Sequence, residues 1–183
     1  MKGFSAVALL FLALTAACRW NSEQQAVYDS YALMSRALEE ERLDDLYRGL
    51  SSSTTALLDT AAAALTGMGA PLDNRGDRLL EEIASGYSLF PTGRNVADIF
   101  LRDDRAVVEP VGDDDRRTVR FVFEDGAWKL DLTDEITGVL TGALDGTGVT
   151  LEQFLRPPAP ATRYIVGGCP LTVTNRLGGP DVY

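Results

Sequence analysis

The segment VRFVFEDGAWKLDL, residues 119–132, restricts the fold of this chain more than any other segment. Asp125-Gly126 lies at its centre, and this pair favours a two-residue type I′ turn because both residues must adopt positive φ. A hairpin closed at that turn fixes the pairing of every residue in the two strands. The predicted pairs are Glu124–Ala127, Phe123–Trp128, Val122–Lys129, Phe121–Leu130, Arg120–Asp131 and Val119–Leu132.

The same register separates apolar from polar side chains. The apolar face consists of Val119, Phe121, Phe123, Trp128, Leu130 and Leu132. Burying these six side chains would contribute on the order of 10 kcal/mol before conformational entropy is counted. A shift of one residue would mix both faces, so turn chemistry and polarity independently predict one register. On the other face, Arg120 and Asp131 are predicted to form a cross-strand ion pair, usually a solvated one.

Two further strands, Val96–Arg102 and Ala106–Val111, are predicted to precede the hairpin, joined at Asp103-Asp104. Gly112-Asp113-Asp114-Asp115 predicts the turn that follows them. An acidic turn of this kind is the ordinary explanation of the three aspartates, and weak cation binding is the alternative. The sequence therefore predicts an antiparallel sheet of about four strands.

The region before the sheet has helical periodicity of apolar residues. Ser22 and Gln25 fit a capping box at the start of the first helix. Gly67, Gly69 and Pro71 end the third helix, and Asp77 caps the fourth. The predicted helices are Glu23 to about Glu41, Leu43–Leu50, Thr54–Leu65, and a fourth that ends near Ser85.

After the hairpin, Thr133 is predicted to cap a helix that carries Ile136 and Leu140, and residues 150–155 form one more helical turn. Residues 156–183 form a Pro/Gly-rich tail with one candidate strand, Leu171–Thr174, which pairs with a sheet edge or stays loose. The predicted fold class is thus α+β. Amphipathic helices pack on a curved antiparallel sheet, and a short helix and an irregular tail follow, with residues 22–155 as the globular domain.

The N-terminus has the layout of a secretory signal. Lys2 provides the positive charge, Phe4–Leu14 is apolar apart from one serine, and small residues follow. The apolar run is about half of the roughly 20 residues that a membrane-spanning helix needs. We therefore interpret residues 1–17 as a signal peptide and the protein as exported.

The segment Leu14-Thr15-Ala16-Ala17-Cys18 resembles a bacterial lipobox, with Thr15 where leucine is usual. The resemblance implies cleavage between Ala17 and Cys18, lipidation of Cys18, and residues 18–21 as a lipidated N-terminus. It also implies anchoring to a membrane of the cell envelope, the outer membrane in a diderm, because Arg19 follows the cysteine. The alternative is an ordinary cut after Ala17, with Cys18 left as a free thiol or bonded to Cys169.

Composition excludes several classes of function. After residues 1–17 are removed, 16 basic and 27 acidic residues leave a net charge of −11. Such a charge disfavours nucleic-acid binding. The chain contains no histidine, which removes Ser-His-Asp and Cys-His catalysis and the commonest transition-metal ligand.

Candidate site residues are few. Asp98 and Asp131 are the only strand carboxylates considered as a general base, and neither a raised pKa nor a placed substrate is visible in the sequence. Residues 143–155 faintly resemble a calcium-binding loop, but Ala143 and Phe154 stand where oxygen ligands are needed. Four aromatic residues at core-like spacings are the remaining candidates for a pocket lining. They are Tyr28, Tyr31, Tyr47 and Trp128.

Helices followed by an antiparallel sheet with an FEDGAWKLDL hairpin resemble the SnoaL-like, nuclear-transport-factor-like α+β superfamily, and its small bacterial secreted lipoproteins most of all. The segment DLYRGLS, residues 45–51, fits the same pattern. The resemblance covers roughly residues 22–132 and implies a long helix across a bent sheet, with a conical pocket between them. Superfamily members include isomerases, cyclases and non-catalytic modules, so the fold alone does not fix a function.

The first interpretation is a lipid-anchored cell-envelope protein that is not an enzyme and needs no cofactor or metal. It would bind a small apolar ligand or an envelope protein. The alternative is a small isomerase or cyclase that uses Asp98 or Asp131 with a tyrosine. A buried carboxylate near Tyr31 or Trp128 would favour the enzyme. A third interpretation makes the tail an element that adds a strand to a partner's sheet.

Overall fold

The computed structural model describes residues 20–93, 95–111 and 117–156, together with the backbone of two strands at 162–166 and 169–173. The predicted signal peptide, Cys18 and the acidic turn at 113–115 lie outside these residues. Within the described part of the chain, every helix is too short or too polar to cross a membrane.

Four helices form the N-terminal half of the domain. They are α1 (Ser22–Glu39), α2 (Leu43–Arg48), α3 (Ser52–Gly67) and α4 (Gly76–Gly86). The predicted cap of α1 was wrong by one residue, since Asn21 is the N-cap and forms the capping box with Gln24. The Asn21 carbonyl already accepts the Gln25 N–H at 2.9 Å, so the helix begins before Ser22 can cap it. Ser51 caps α3, and its side chain accepts the Thr54 N–H.

The sheet has four antiparallel strands in the order β1-β2-β3-β4. They are β1 (Val96–Arg102), β2 (Arg105–Pro110), β3 (Val119–Glu124) and β4 (Ala127–Asp131). Five of the six predicted hairpin pairs are present, from Glu124–Ala127 to Arg120–Asp131. The sixth pair is absent because β4 ends at Asp131. Asp125 and Gly126 both have positive φ, at 52° and 78°, as the predicted turn requires.

The predicted apolar face of the hairpin is only partly buried. Val119, Phe121, Leu130 and Leu132 are buried, but Phe123 is 46% exposed and Trp128 is half-buried. These two aromatic rings instead contact each other edge to face, with centroids 5.3 Å apart. The side-chain alternation was predicted correctly, and the prediction failed only on how far the core reaches toward the turn.

Helix α1 packs against β1, β2 and β4, and a row of buried residues on it faces the core. Its buried apolar residues are Val27, Tyr31, Met34 and Ala37. The Gln24 amide donates to the Ile99 carbonyl at 2.8 Å and attaches the start of the helix to β1. Beyond β4, Leu50 forms a parallel bridge to Leu130, so the chain between α2 and α3 runs along the sheet edge.

Two helices and a second sheet complete the described chain. They are α5 (Thr133–Leu144), α6 (Leu151–Leu155), β5 (Thr162–Val166) and β6 (Cys169–Val173). Thr150 caps α6 with a capping box, whereas Thr133 does not cap α5, whose N-cap is Leu132. The predicted tail strand, Leu171–Thr174, overlaps β6, but its partner was not predicted, because β6 pairs antiparallel with the second tail strand, β5.

Candidate functional site

The region between α1 and the sheet is filled by side chains. Among the described residues, only Ser35, Ser51 and Thr54 are buried polar residues, so no carboxylate lies in the core. The largest fully buried side chains are Tyr31, Phe121, Leu46, Leu58, Leu80, Ile99, Leu130, Leu132 and Ile136. The buried carboxylate near Tyr31 or Trp128 that would favour catalysis is therefore not found in this part of the chain.

Asp131 is held by hydrogen bonds at the end of β4. Its Oδ1 accepts the Thr133 hydroxyl at 2.6 Å and the Thr133 N–H at 3.1 Å. The Thr54 hydroxyl contributes a third bond at 3.2 Å. Burial alone would raise the pKa of Asp131. The hydrogen bonds from Thr133 and Thr54 and the charge of Arg120 together outweigh burial, so the pKa lies below its ordinary value. A general base at neutral pH needs the opposite shift.

Asp98, the other candidate base, lies exposed on β1, where its Oδ1 accepts the Ile99 N–H at 2.8 Å. The predicted Arg120–Asp131 ion pair was also wrong at the level of side chains. Although the two residues pair across the strands, the Arg120 guanidinium binds the carboxylates of Asp134 and Glu135 at the start of α5.

The four candidate aromatic residues do not line a common pocket. Tyr31 is fully buried, and its hydroxyl donates to the Pro91 carbonyl at 3.0 Å. Tyr28 contacts Trp20, with ring centroids 4.8 Å apart. The Tyr47 hydroxyl donates to the Asp59 carboxylate at 2.6 Å, and burial, reinforced by this bond, raises the pKa of Tyr47. Trp128 borders an opening of about 400 Å³ beside α1.

A larger cleft of about 790 Å³ lies where the end of α1, the start of α2, α4 and the loop after α4 meet the end of β2. Leu38 and Leu43 form one apolar wall, and Phe90 with Pro91 forms another. The complete lining is Leu38, Glu39, Glu41, Leu43, Glu81, Ala84, Ser85, Tyr87, Ser88, Phe90, Pro91, Thr92, Pro110, Val111 and Arg117. Sequence reasoning missed this site, because its lining comes from four separate stretches of the chain, at 38–43, 81–92, 110–111 and 117, and none of them carries a motif.

The charges around the cleft are mostly negative. Glu39 and Glu41 line it without an ion pair among the described residues, whereas Glu81 pairs with Arg78 at 2.7 Å. Arg117 provides the one positive charge in the lining and donates to the Ser88 carbonyl at 3.3 Å. The field in the cleft therefore favours a neutral or positively charged ligand over an anion.

The described residues contain no group of three or more aspartates, glutamates or cysteines arranged to hold a metal ion. Residues 143–155 form the end of α5, a turn with positive φ at Gly146 and Gly148, and α6. Comparisons of the chain with protein-family models, with curated proteins and with solved structures gave no match.

Proposed function

We propose that this protein is an exported, lipid-anchored cell-envelope protein whose α+β domain is a non-catalytic binding module. In this proposal the membrane is contacted through an acylated Cys18, and a small ligand with an apolar body occupies the cleft between α1, α4 and the end of β2. The cleft is the observation that carries the binding role. Its volume of about 790 Å³ lies within the roughly 300–1,000 Å³ typical of small-molecule sites.

The proposal also places the domain in the SnoaL-like superfamily, with a curved sheet. Two observations support it. The register of β1 shifts between Val96 and Asp98, and such bulges bend a strand. Helix α1 packs against three of the four strands, which is the arrangement that the resemblance implies. In this version of the fold, Tyr31 and Phe121 fill the space between helix and sheet, and the opening lies at the end of α1.

The isomerase or cyclase alternative has weaker support. Asp98 lies exposed on a strand, and the pKa of Asp131 is lowered by its threonine partners. Neither carboxylate lines the cleft, where Tyr87 and three glutamates are the titratable residues besides Arg117. The geometry thus offers a place to bind a molecule, and neither of the two carboxylates predicted as a base lies in it.

A neutral apolar dye tests the binding role. N-phenyl-1-naphthylamine, titrated into the full chain, is expected to fluoresce on binding and to saturate. Ala84 lines the cleft on α4, so Ala84→Trp should occupy part of it and weaken dye binding about tenfold or more. Ala63→Trp is the matched control, because Ala63 is exposed on α3 and does not line the cleft.

Two outcomes would contradict the binding role. One is the absence of saturable fluorescence with the unsubstituted protein. The other is equal weakening of dye binding by Ala84→Trp and Ala63→Trp, since the dye would then report a general change of the surface. An anionic naphthalene sulfonate should bind more weakly than the neutral dye, because Glu39 and Glu41 repel it.

The anchor is tested separately by cell fractionation. The full chain is expected in the membrane fraction, and Cys18→Ala should move it to a soluble or uncleaved form because the acylated thiol is lost. If the Cys18→Ala chain has the same mass and the same distribution between the fractions as the unsubstituted chain, Cys18 does not anchor the protein.

A further inference from the structure

The outward side chains of β1 and β2 form a patterned surface, which we call the hairpin face. It consists of three cross-strand pairs that follow one another along the two strands. They are the acidic pair Asp98–Glu109, the apolar pair Phe100–Val107 and the basic pair Arg102–Arg105. The opposite side of the same strands carries the buried Ile99 and Val108, so the two faces are cleanly separated.

The hairpin face is open. Phe100 is 52% exposed, the four charged residues are exposed, and Val107 is half-buried. Arg102, Arg105 and Glu109 form no ion pair or side-chain hydrogen bond with another residue in the described chain, and Asp98 bonds only the adjacent Ile99 N–H. Two arginines without acidic partners are notable on a chain whose formal net charge is −10.

The pattern is complementary to itself. Two copies can place these faces against each other about a two-fold axis that lies between them. The axis runs parallel to the Phe100–Val107 pair and perpendicular to the strands, so the strands of the second copy run in the opposite direction. Arg105 of one copy then lies over Glu109 of the other, and Arg102 lies over Asp98. We propose that the hairpin face is the surface through which two copies of this chain associate, with the apolar pair at the centre and ion pairs at both ends.

Pairing of two copies through the free edge of β1 is disfavoured by side chains at that edge. The Ile99 carbonyl already accepts the Gln24 amide at 2.8 Å, and the Ile99 N–H already donates to Asp98. Both backbone groups that a new strand would need at this residue are therefore occupied. Natural proteins protect sheet edges from pairing with another chain by comparable means.

The neighbouring strand does not oppose this arrangement. Arg120 on β3 is the cross-strand neighbour of Val107 and therefore also lies on the proposed axis. In the pair of copies it would face Arg120 of the other copy. Its charge is balanced within each chain by Asp134 and Glu135. The patch is small, so the association belongs to the weak class of interfaces. The inference depends on neither the anchor at Cys18 nor the cleft.

Charge reversal on β2 tests the two-fold arrangement. Tagged and untagged full-length copies are produced in one cell, and the untagged copy recovered with the tagged one is measured. Arg105→Glu should place two glutamates over each other at both ends, and Glu109→Arg should place two arginines there. Each variant paired with itself should therefore lose about tenfold or more of the recovered copy, because like charges are repulsive at close range.

The mixed pair is the decisive arm. When one copy carries Arg105→Glu and the other Glu109→Arg, opposite charges meet at both ends and recovery should return to the unsubstituted level. Both positions are exposed, and circular dichroism of each variant should match the parent. If the mixed pair stays as low as the self-pairs, or if neither reversal lowers recovery, the hairpin face does not join two copies. A third outcome would also overturn the proposal. In it, a different protein is recovered with the tagged copy, either charge reversal abolishes that recovery, and the recovery of the untagged copy is unchanged.

Discussion

The Thr54 hydroxyl lies 3.2 Å from the Asp131 carboxylate, and this contact joins the first turn of α3 to the end of β4. The same hydroxyl oxygen accepts the Leu132 N–H at 3.0 Å, and Thr54 is fully buried. Ser51 strengthens the junction, since its N–H donates to the Leu130 carbonyl at 2.8 Å. One threonine thus connects the helical half of the domain to the strand that leads into α5.

Replacement of this buried hydroxyl should be costly. We expect Thr54→Val to lower the free energy of unfolding by about 1–3 kcal/mol, because the Leu132 N–H would remain buried without an acceptor. Urea denaturation followed by circular dichroism measures the change. Ser35→Ala is the informative comparison, because the Ser35 hydroxyl is buried on α1 and has no hydrogen-bond partner among the described residues.

Removal of the Ser35 hydroxyl should leave the protein equally stable or more stable, by up to about 1 kcal/mol, since alanine also favours the helix. If Thr54→Val and Ser35→Ala changed stability by the same amount and in the same direction, the Thr54 hydrogen bonds would not hold the junction.

Asp131 should make the fold sensitive to acid. Its pKa in the folded protein lies below the ordinary 3.8, so the ionised carboxylate stabilises the folded state at pH values above 3.8. This contribution is lost as the pH falls from there through the lowered pKa. Asp131→Asn should therefore destabilise the protein at neutral pH, and the difference in unfolding free energy between variant and parent should shrink below about pH 4. A difference that stays constant from pH 7 to pH 2.5 would contradict the assigned hydrogen bonds.

Two glycines in helices should respond to alanine with opposite signs. A Cβ on Gly76 would lie 2.9 Å from the Asp59 backbone nitrogen and 2.3 Å from its carboxylate, which the Tyr47 hydroxyl also binds. Gly76→Ala should therefore lower the free energy of unfolding by about 1–3 kcal/mol, as overpacking does. Gly138 lies inside α5 with nothing within 4 Å of its Cβ position, so Gly138→Ala should raise it by about 0.5–1 kcal/mol. Thermal denaturation of both variants tests the close contact of α3 with α4, and equal shifts would contradict it.

The sequence predicted the β3–β4 hairpin closely because two independent constraints agree there. Asp125-Gly126 fixes the turn, and the alternation of apolar residues fixes the faces. It did not predict that Phe123 stays exposed, because how far the helices cover the sheet depends on residues distant in the chain. Arg120 shows the same limit. Its cross-strand neighbour was predicted correctly, but Asp131 is bound by threonines from α3 and α5, and the guanidinium binds the acidic first turn of α5 instead.

The helix starts and the tail illustrate local ambiguity. Asn21 with Gln24 and Ser22 with Gln25 have the same capping spacing, and the sequence alone does not choose between them. In the tail, the β-branched and aromatic residues at 164–166 precede Gly167-Gly168, a pair typical of two-residue hairpin turns, but only the strand at 171–174 was predicted. The cleft was beyond sequence reasoning altogether, since its walls meet only after the helices pack.

The lipid anchor at Cys18 is the central feature of the proposed function, and the mass of the mature N-terminal peptide from the native membrane fraction tests it most directly. A lipid-anchored protein should yield a peptide that begins at Cys18 and carries a diacylglyceryl group, with or without a third acyl chain. A peptide that begins at Cys18 with an unmodified or disulfide-bonded thiol, recovered from the soluble fraction, would contradict the lipid anchor and make the protein a freely diffusing secreted one.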